Sequence, residues 1–312
     1  MRLKSLLTAG GVFGGLAALN RGLERRGGEL VNAPGGETRY YRWNGYDLAY
    51  TVAGEGEPLL MVHGIYAGAS SFEFHKNFDE LSRSFRVYAL DLLGCGLSER
   101  PRRRYEPEDV TSQIENFARD EIGIPAHLVT SSLSAALSMP AAVRSPRLFK
   151  KLVFICPTGY ATLGEQSGLL GDVIYGLFRT PVIGNSLYHA IVSHRGIRFY
   201  LGRMSYHDPK FVTDGLVESY YRMGHQPGAK YLPAAFASGK LNQGVADYWP
   251  RVPHKTLICW GQEATTSPAY EAEDFVRRNP RSEPRIFKDA ALLPHDERAE
   301  TFNEQVREFL EK

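Results

Sequence analysis

The sequence predicts an α/β fold: a mostly parallel, doubly wound sheet with helices on both faces, interrupted by an inserted helical block. Three observations carry this expectation. Short continuous apolar runs alternate with helix-period segments from 58 to 157, and the alternation resumes from 255 to the C-terminus. Between them, residues 160–250 show helical periodicity rich in Tyr, Phe and Leu, with no buried-type strand. Continuous apolar runs are what a sheet covered on both faces requires, and alternation with helices is what parallel crossovers require. The expected domains are a leader and linker (1–36), a core made of 39–159 and 251–312, and a helical lid at 160–250.

The leader opens with Arg2 and Lys4, continues through fifteen uncharged residues from Ser5 to Leu19, and closes with Arg21, Arg25 and Arg26. A bilayer-spanning helix needs roughly twenty apolar residues, so this stretch falls short. Three readings stay open: a membrane-surface anchor or uncleaved signal, a signal peptide cleaved near Gly15-Leu16-Ala17, and a soluble extension. Basic flanks at both ends favour the anchor, which places the protein at a membrane through residues 1–26, with a cytoplasmic protein as the alternative.

After the glycine-rich "NAPGGE" (32–37), "TRYYRW" and "YDLAYTVAG" form two strands joined by Asn44-Gly45, a tight hairpin signal. "PLLMVHG" (58–64) is a buried strand, "SSFEFHKNFDELS" a helical stretch and "FRVYALD" (85–91) a second buried strand. A polar helix, "EPEDVTSQIENFARDEIG", leads to strand "AHLVTS", helix "LSAALSMPAAV" and strand "FKKLVFICP". Beyond the insertion come strand "KTLICWG" (255–261), helix "SPAYEAEDFVRRN", strand "EPRIFKD" and a closing amphipathic helix, "DERAETFNEQVREFLEK".

Composition narrows the function. With 37 Lys+Arg against 35 Asp+Glu, the net charge of +2 gives no reason to expect a nucleic-acid partner. The one dense basic spot, Arg100-Pro-Arg-Arg-Arg104, reads as a solvated loop, with contact to a phosphate or an anionic lipid head as the other reading. Cys95, Cys156 and Cys259 are too few and too scattered for a disulfide framework or zinc site, and the lid histidines His189, His194, His207 and His225 lack metal-pair spacing. Neither a metal nor an organic cofactor is expected.

Taken together, "LLMVHGIYAGASSFEF", "RVYALDLLGCGLSERP", a serine at a strand-to-helix turn, "LICWG" and "PHDERAETFNEQVREFL" resemble the α/β-hydrolase superfamily. The likeness runs from about residue 39 to the C-terminus and is nearest the lidded esterase-, haloperoxidase- and dehalogenase-like branch. It implies an α/β-hydrolase fold and a nucleophile at Ser132, although the glycines of G-x-S-x-G are replaced by Thr130 and Ser134. The other reading of Ser132 is a cap for the helix that follows. The resemblance also implies an oxyanion hole from the N–H groups of Ile65 and Leu133, with His63 positioning its loop.

The same resemblance puts the triad acid at Ala264 and the base at Leu292, neither of which can do the work. Glu263 is the neighbouring carboxylate, and the end of the preceding strand holds Cys156-Pro157. His295 is the nearest imidazole, and serves as a displaced base only if its loop swings it toward Ser132, with Asp289 or Asp296 to orient it. Two functions follow: a serine hydrolase acting on an apolar ester or related carbonyl compound, or a catalytically impaired relative that binds a hydrophobic small molecule under its lid.

Overall fold

The computed structural model describes residues 2–30 and 35–312; residues 32–34 of the expected linker lie outside the described residues. The strands are β1 (Glu37–Trp43), β2 (Tyr46–Ala53), β3 (Glu57–Val62), β4 (Phe85–Leu90), β5 (Ala126–Ser131), β6 (Phe149–Ile155), β7 (Thr256–Gly261) and β8 (Ser282–Phe287). The helices before the insertion are α1 (Arg2–Arg26), α2 (Phe78–Leu81), α3 (Pro107–Asn116) and α4 (Ser132–Arg144). The insertion holds α5 (Leu169–Arg179), α6 (Ile183–Ile191), α7 (His194–Tyr200), α8 (Asp214–Gly224) and α9 (Tyr231–Ala237). After it come α10 (Glu271–Arg278), α11 (Pro294–Glu297) and α12 (Ala299–Glu311).

The eight strands form one sheet in the order β1-β2-β4-β3-β5-β6-β7-β8. β1 and β2 pair antiparallel, as do β2 and β4, and the remaining pairs are parallel. The β1–β2 hairpin turns through Asn44 and Gly45, both at positive φ (47° and 86°), as that dipeptide favours. β5 and β7 are buried at every position, because helices cover both faces of the sheet.

Two helical expectations differ in detail. "SSFEFHKNFDELS" is broken into a 3-10 turn (Ser71–Phe74) and the single turn of α2. The cause is a distant carboxylate: Asp91 takes the Ser71 N–H at 2.6 Å and the Leu97 N–H at 2.8 Å, tying this segment to the loop after β4. The helix after Glu106 passes at Phe117 into a wider turn that ends on left-handed Gly123. There the Phe117 ring packs edge-on against Tyr41, Tyr50 and Tyr88.

The insertion between β6 and β7 builds an apolar core of its own, from residues such as Tyr188, Ile197, Leu201, Val217 and Tyr220, which also receives Leu293. α1 rests on this insertion. Asn20, buried, donates to Val182 O at 3.0 Å, and Asn185 donates to Glu24 at 3.2 Å. Among the described residues, no helix is long and apolar enough to cross a membrane.

Candidate active site

The sheet order reverses between β3 and β5, so crossovers leave in opposite directions and a crevice opens beyond their carboxyl ends. β3 delivers His63-Gly64-Ile65 to this crevice; β5 delivers Ser131 and Ser132. The turn is sharp. Ser132 has φ +53°, a left-handed backbone that non-glycine residues adopt only at a cost of about 1–3 kcal/mol when their surroundings hold them there.

Those surroundings are visible. Thr130 is locked in the ladder between Val62 and Phe154, and the Ser134 hydroxyl donates to His63 O at 2.6 Å. The side chains that replaced the expected glycines therefore fit: one completes a strand, and the other ties α4 to the loop after β3. Helix capping is not the role of Ser132, since the cap position belongs to Ser131, whose side chain makes no capping bond.

His63 is a loop-positioning residue. Its Nδ1 meets Gly64 O at 2.6 Å, and its Nε2 accepts the Leu92 N–H at 3.2 Å. Neither the Ile65 nor the Leu133 N–H donates to any group among the described residues, and both residues are buried. The first turn of α4 leaves the Leu133 donor free, the loop after β3 leaves the Ile65 donor free, and such donors suit an oxyanion.

Ser131, Ser132, Tyr66, Glu73, Cys156 and Leu292 line one small cavity of about 40 Å³. Cys156 has φ +41°, and burial pushes its thiol up to about 12. Leu292 is pinned by its N–H to Ser205 O at 3.0 Å, so an aliphatic side chain occupies the wall where a base would stand. Ala264 is buried in the turn after β7. Glu263 is used elsewhere, accepting the Ala290 N–H at 3.0 Å. Gly261 permits this crowding: a Cβ there would sit 1.9 Å from Ala291 O.

His295 is not swung toward Ser132. Pro294 opens the short helix α11, and Asn77 donates to His295 O at 2.8 Å, turning the ring inward between Phe74 and Phe302. Neither ring nitrogen is hydrogen-bonded, so no bond to Ser132 exists, and burial pulls the imidazole below its usual range. Asp296 instead pairs with Lys76 and Tyr206, while Asp289 pairs with Arg298 at 2.8 Å.

The nearest charged neighbour of His295 is a residue the motif reading passed over. Glu73 Oε1 lies 3.6 Å from His295 Nε2, with both side chains almost fully buried. Glu73 Oε2 accepts the Gly64 N–H at 2.9 Å and the Tyr66 hydroxyl at 2.8 Å, while Oε1 has no hydrogen-bond partner. The available signal was a carboxylate between two phenylalanines in "SSFEF", where a surface residue is not expected.

Adjoining this mixed cavity is a larger apolar one of about 200 Å³, walled by insertion residues including Phe178, Ile191, Val192, Ile197 and Phe236. Tyr66, Tyr200 and Tyr220 border both cavities, and Tyr66 stacks on Tyr220 with ring centroids 5.7 Å apart. Among the described residues no cluster of His, Cys, Asp or Glu is placed to hold a metal.

A sheet of this topology, with a left-handed serine at its switch point beside free N–H groups, defines a hydrolase-type scaffold. The chain belongs to the alpha/beta hydrolase family, whose model matches residues 59–305. It is 27% identical to a 2-hydroxymuconate semialdehyde hydrolase of Pseudomonas putida over 284 residues, covering 86% of this chain and 91% of that one. Among solved structures it is similar to the meta-cleavage product hydrolase CumD of Pseudomonas fluorescens IP01, with 23% identity, a TM-score of 0.72 and coverage of 88% and 97%. A bacterial membrane phospholipase A has the same fold, with 20% identity, a TM-score of 0.71 and coverage of 99% and 96%.

Proposed function

We propose that this protein hydrolyses an apolar carboxylic ester or related carbonyl compound, with Ser132 as nucleophile and the Ile65 and Leu133 N–H groups receiving the oxyanion. The left-handed backbone of Ser132 carries the reading. Strain of that kind is retained where it serves a site, and here it has survived the loss of both motif glycines. The apolar cavity under the insertion, acting as a lid, supports an apolar substrate body, and hydrolysis of a semialdehyde by a similar protein supports a carbonyl head. Leu292 and Ala264 favour a second reading, a binder without turnover.

A fluorophosphonate probe separates the two readings. Stoichiometric labelling over hours, absent in Ser132→Ala, is the result the hydrolase reading expects. No labelling of the wild type leaves only the binder.

The partner surface we infer is a lipid bilayer. Leu169, Val173 and Leu177 on α5, and Ile183, Leu187 and Ile191 on α6, form two exposed stripes at i, i+4 spacing. α1 rests against α6 with Phe13 and Leu19 exposed, and its closing arginines, Arg21, Arg25 and Arg26, are exposed too. Apolar stripes with adjacent basic residues suit an anionic membrane surface. Co-sedimentation with phosphatidylglycerol vesicles tests this: the full chain binds, and both deletion of residues 1–26 and Val173→Glu/Leu187→Glu weaken binding. Unchanged binding in both variants rules the surface out.

A further inference from the structure

We propose that Glu73 has taken over proton transfer to and from Ser132, acting through one water molecule, and that His295 is a positioning residue holding Glu73. This rests on Ser132 being the nucleophile. Three observations lead to it. Glu73 and Ser132 line the same cavity, whose volume of about 40 Å³ admits water at the 10–15 Å³ each molecule needs. The Glu73 carboxylate is side-on to the elbow: its Oε2 and the Ser131 Oγ lie 3.3 and 3.5 Å from the point where a Cβ on Gly64 would stand. Its second oxygen, Oε1, is buried, makes no hydrogen bond and lies 3.6 Å from His295 Nε2. A buried carboxylate oxygen that makes no hydrogen bond is open to a water or a reacting hydroxyl as its partner.

The relay balances. As Ser132 Oγ attacks the carbonyl carbon, its proton passes to the water and a water proton passes to Glu73, while the oxygen's negative charge settles on the Ile65 and Leu133 N–H groups. Collapse breaks the bond to the leaving group, which takes the proton back from Glu73 through the same water. A second water, deprotonated by Glu73, then attacks the acyl-serine; the acid leaves, and the proton returns to Ser132. Burial favours neutral His295, so its ring serves as a dipole beside Glu73. Phe74 and Phe302 hold that ring in place.

A purely structural role for Glu73, bracing Gly64 and Tyr66, makes a different prediction, and Glu73→Gln separates the two by keeping an acceptor while removing the base. On the full chain, the probe is the rate of fluorophosphonate labelling and of p-nitrophenyl butyrate hydrolysis from pH 4 to 9. Groups facing Glu73 that also titrate are His295, Cys156, Tyr66, Tyr200 and Tyr220. Expected are a loss of about 100-fold or more in E73Q at neutral pH and disappearance of the low-pH limb of the profile. His295→Gln loses less and keeps the limb at a shifted midpoint.

Glu73→Asp guards against a folding defect. It retains a carboxylate, so a slower enzyme with the limb intact supports the relay, and an E73D profile without the limb overturns it. E73Q within threefold of wild type, with Ser132→Ala inactive, overturns the Glu73 role and leaves the nucleophile standing. Full activity in Ser132→Ala removes the nucleophile itself, and the relay with it.

Discussion

Replacing Leu292 by histidine and Ala264 by aspartate together raises ester turnover, and does so by about 10²- to 10⁴-fold in Glu73→Gln, where the pair supplies the whole contribution of a positioned general base. The Leu292 side chain already lines the cavity that holds Ser132, and its backbone is fixed through Ser205 O, so an imidazole grafted there begins on the correct wall. Aspartate at the buried position 264 gives that imidazole an anionic brace and selects its tautomer. Leu292→His alone gains less, because an unbraced ring samples both tautomers. The polar groups cost stability, on the order of 1–3 kcal/mol until they find each other. Steady-state hydrolysis of p-nitrophenyl butyrate by the two single variants and the pair checks this. The pair also rescues Glu73→Gln, since it supplies a base from the opposite wall. A double variant no faster than wild type would mean that these positions do not face Ser132.

The expectation of empty acid and base seats comes straight from the sequence, because a motif assigns roles to positions and Ala264 and Leu292 have no titratable atom. The strands were equally legible, since a run such as "TLICWG" is apolar at nearly every position only when buried on both faces. The surroundings of Glu73 were harder to see. Glu73 meets Gly64 and Tyr66 from nearby in the chain, but its link to His295 spans the whole domain. The direction of the His295 ring was hidden for a related reason. A Pro-His pair shows where a loop ends, whereas the ring's direction depends on Asn77 capturing its carbonyl. The helix expected at "SSFEFHKNFDELS" was lost to the same kind of distant partner, the Asp91 carboxylate.

Glu297→Ala is expected to destabilise the fold by about 3–5 kcal/mol, among the larger effects a single truncation produces. This buried carboxylate accepts three backbone N–H groups, from Ala291 at 2.7 Å, His207 at 2.9 Å and Asp208 at 3.0 Å. One belongs to the loop bearing Leu292 and two to the insertion, so the residue joins the insertion to the wall of the candidate site. Alanine leaves three donors buried without a partner and opens room for the loop to shift. Burial holds the Glu297 carboxyl above the ordinary glutamate value of 4.5, although the three N–H bonds pull the other way. With the folded value raised, the native state binds more protons than the unfolded chain in that window. The advantage of Glu297 over alanine is therefore greatest below 4.5 and shrinks as pH climbs through the raised value. Melting curves of wild type and Glu297→Ala from pH 4 to 7 test both parts. An absent Tm difference would show that the three bonds do not hold insertion and core together, and one that widens with rising pH would show that the bonds outweigh burial in setting the protonation of Glu297.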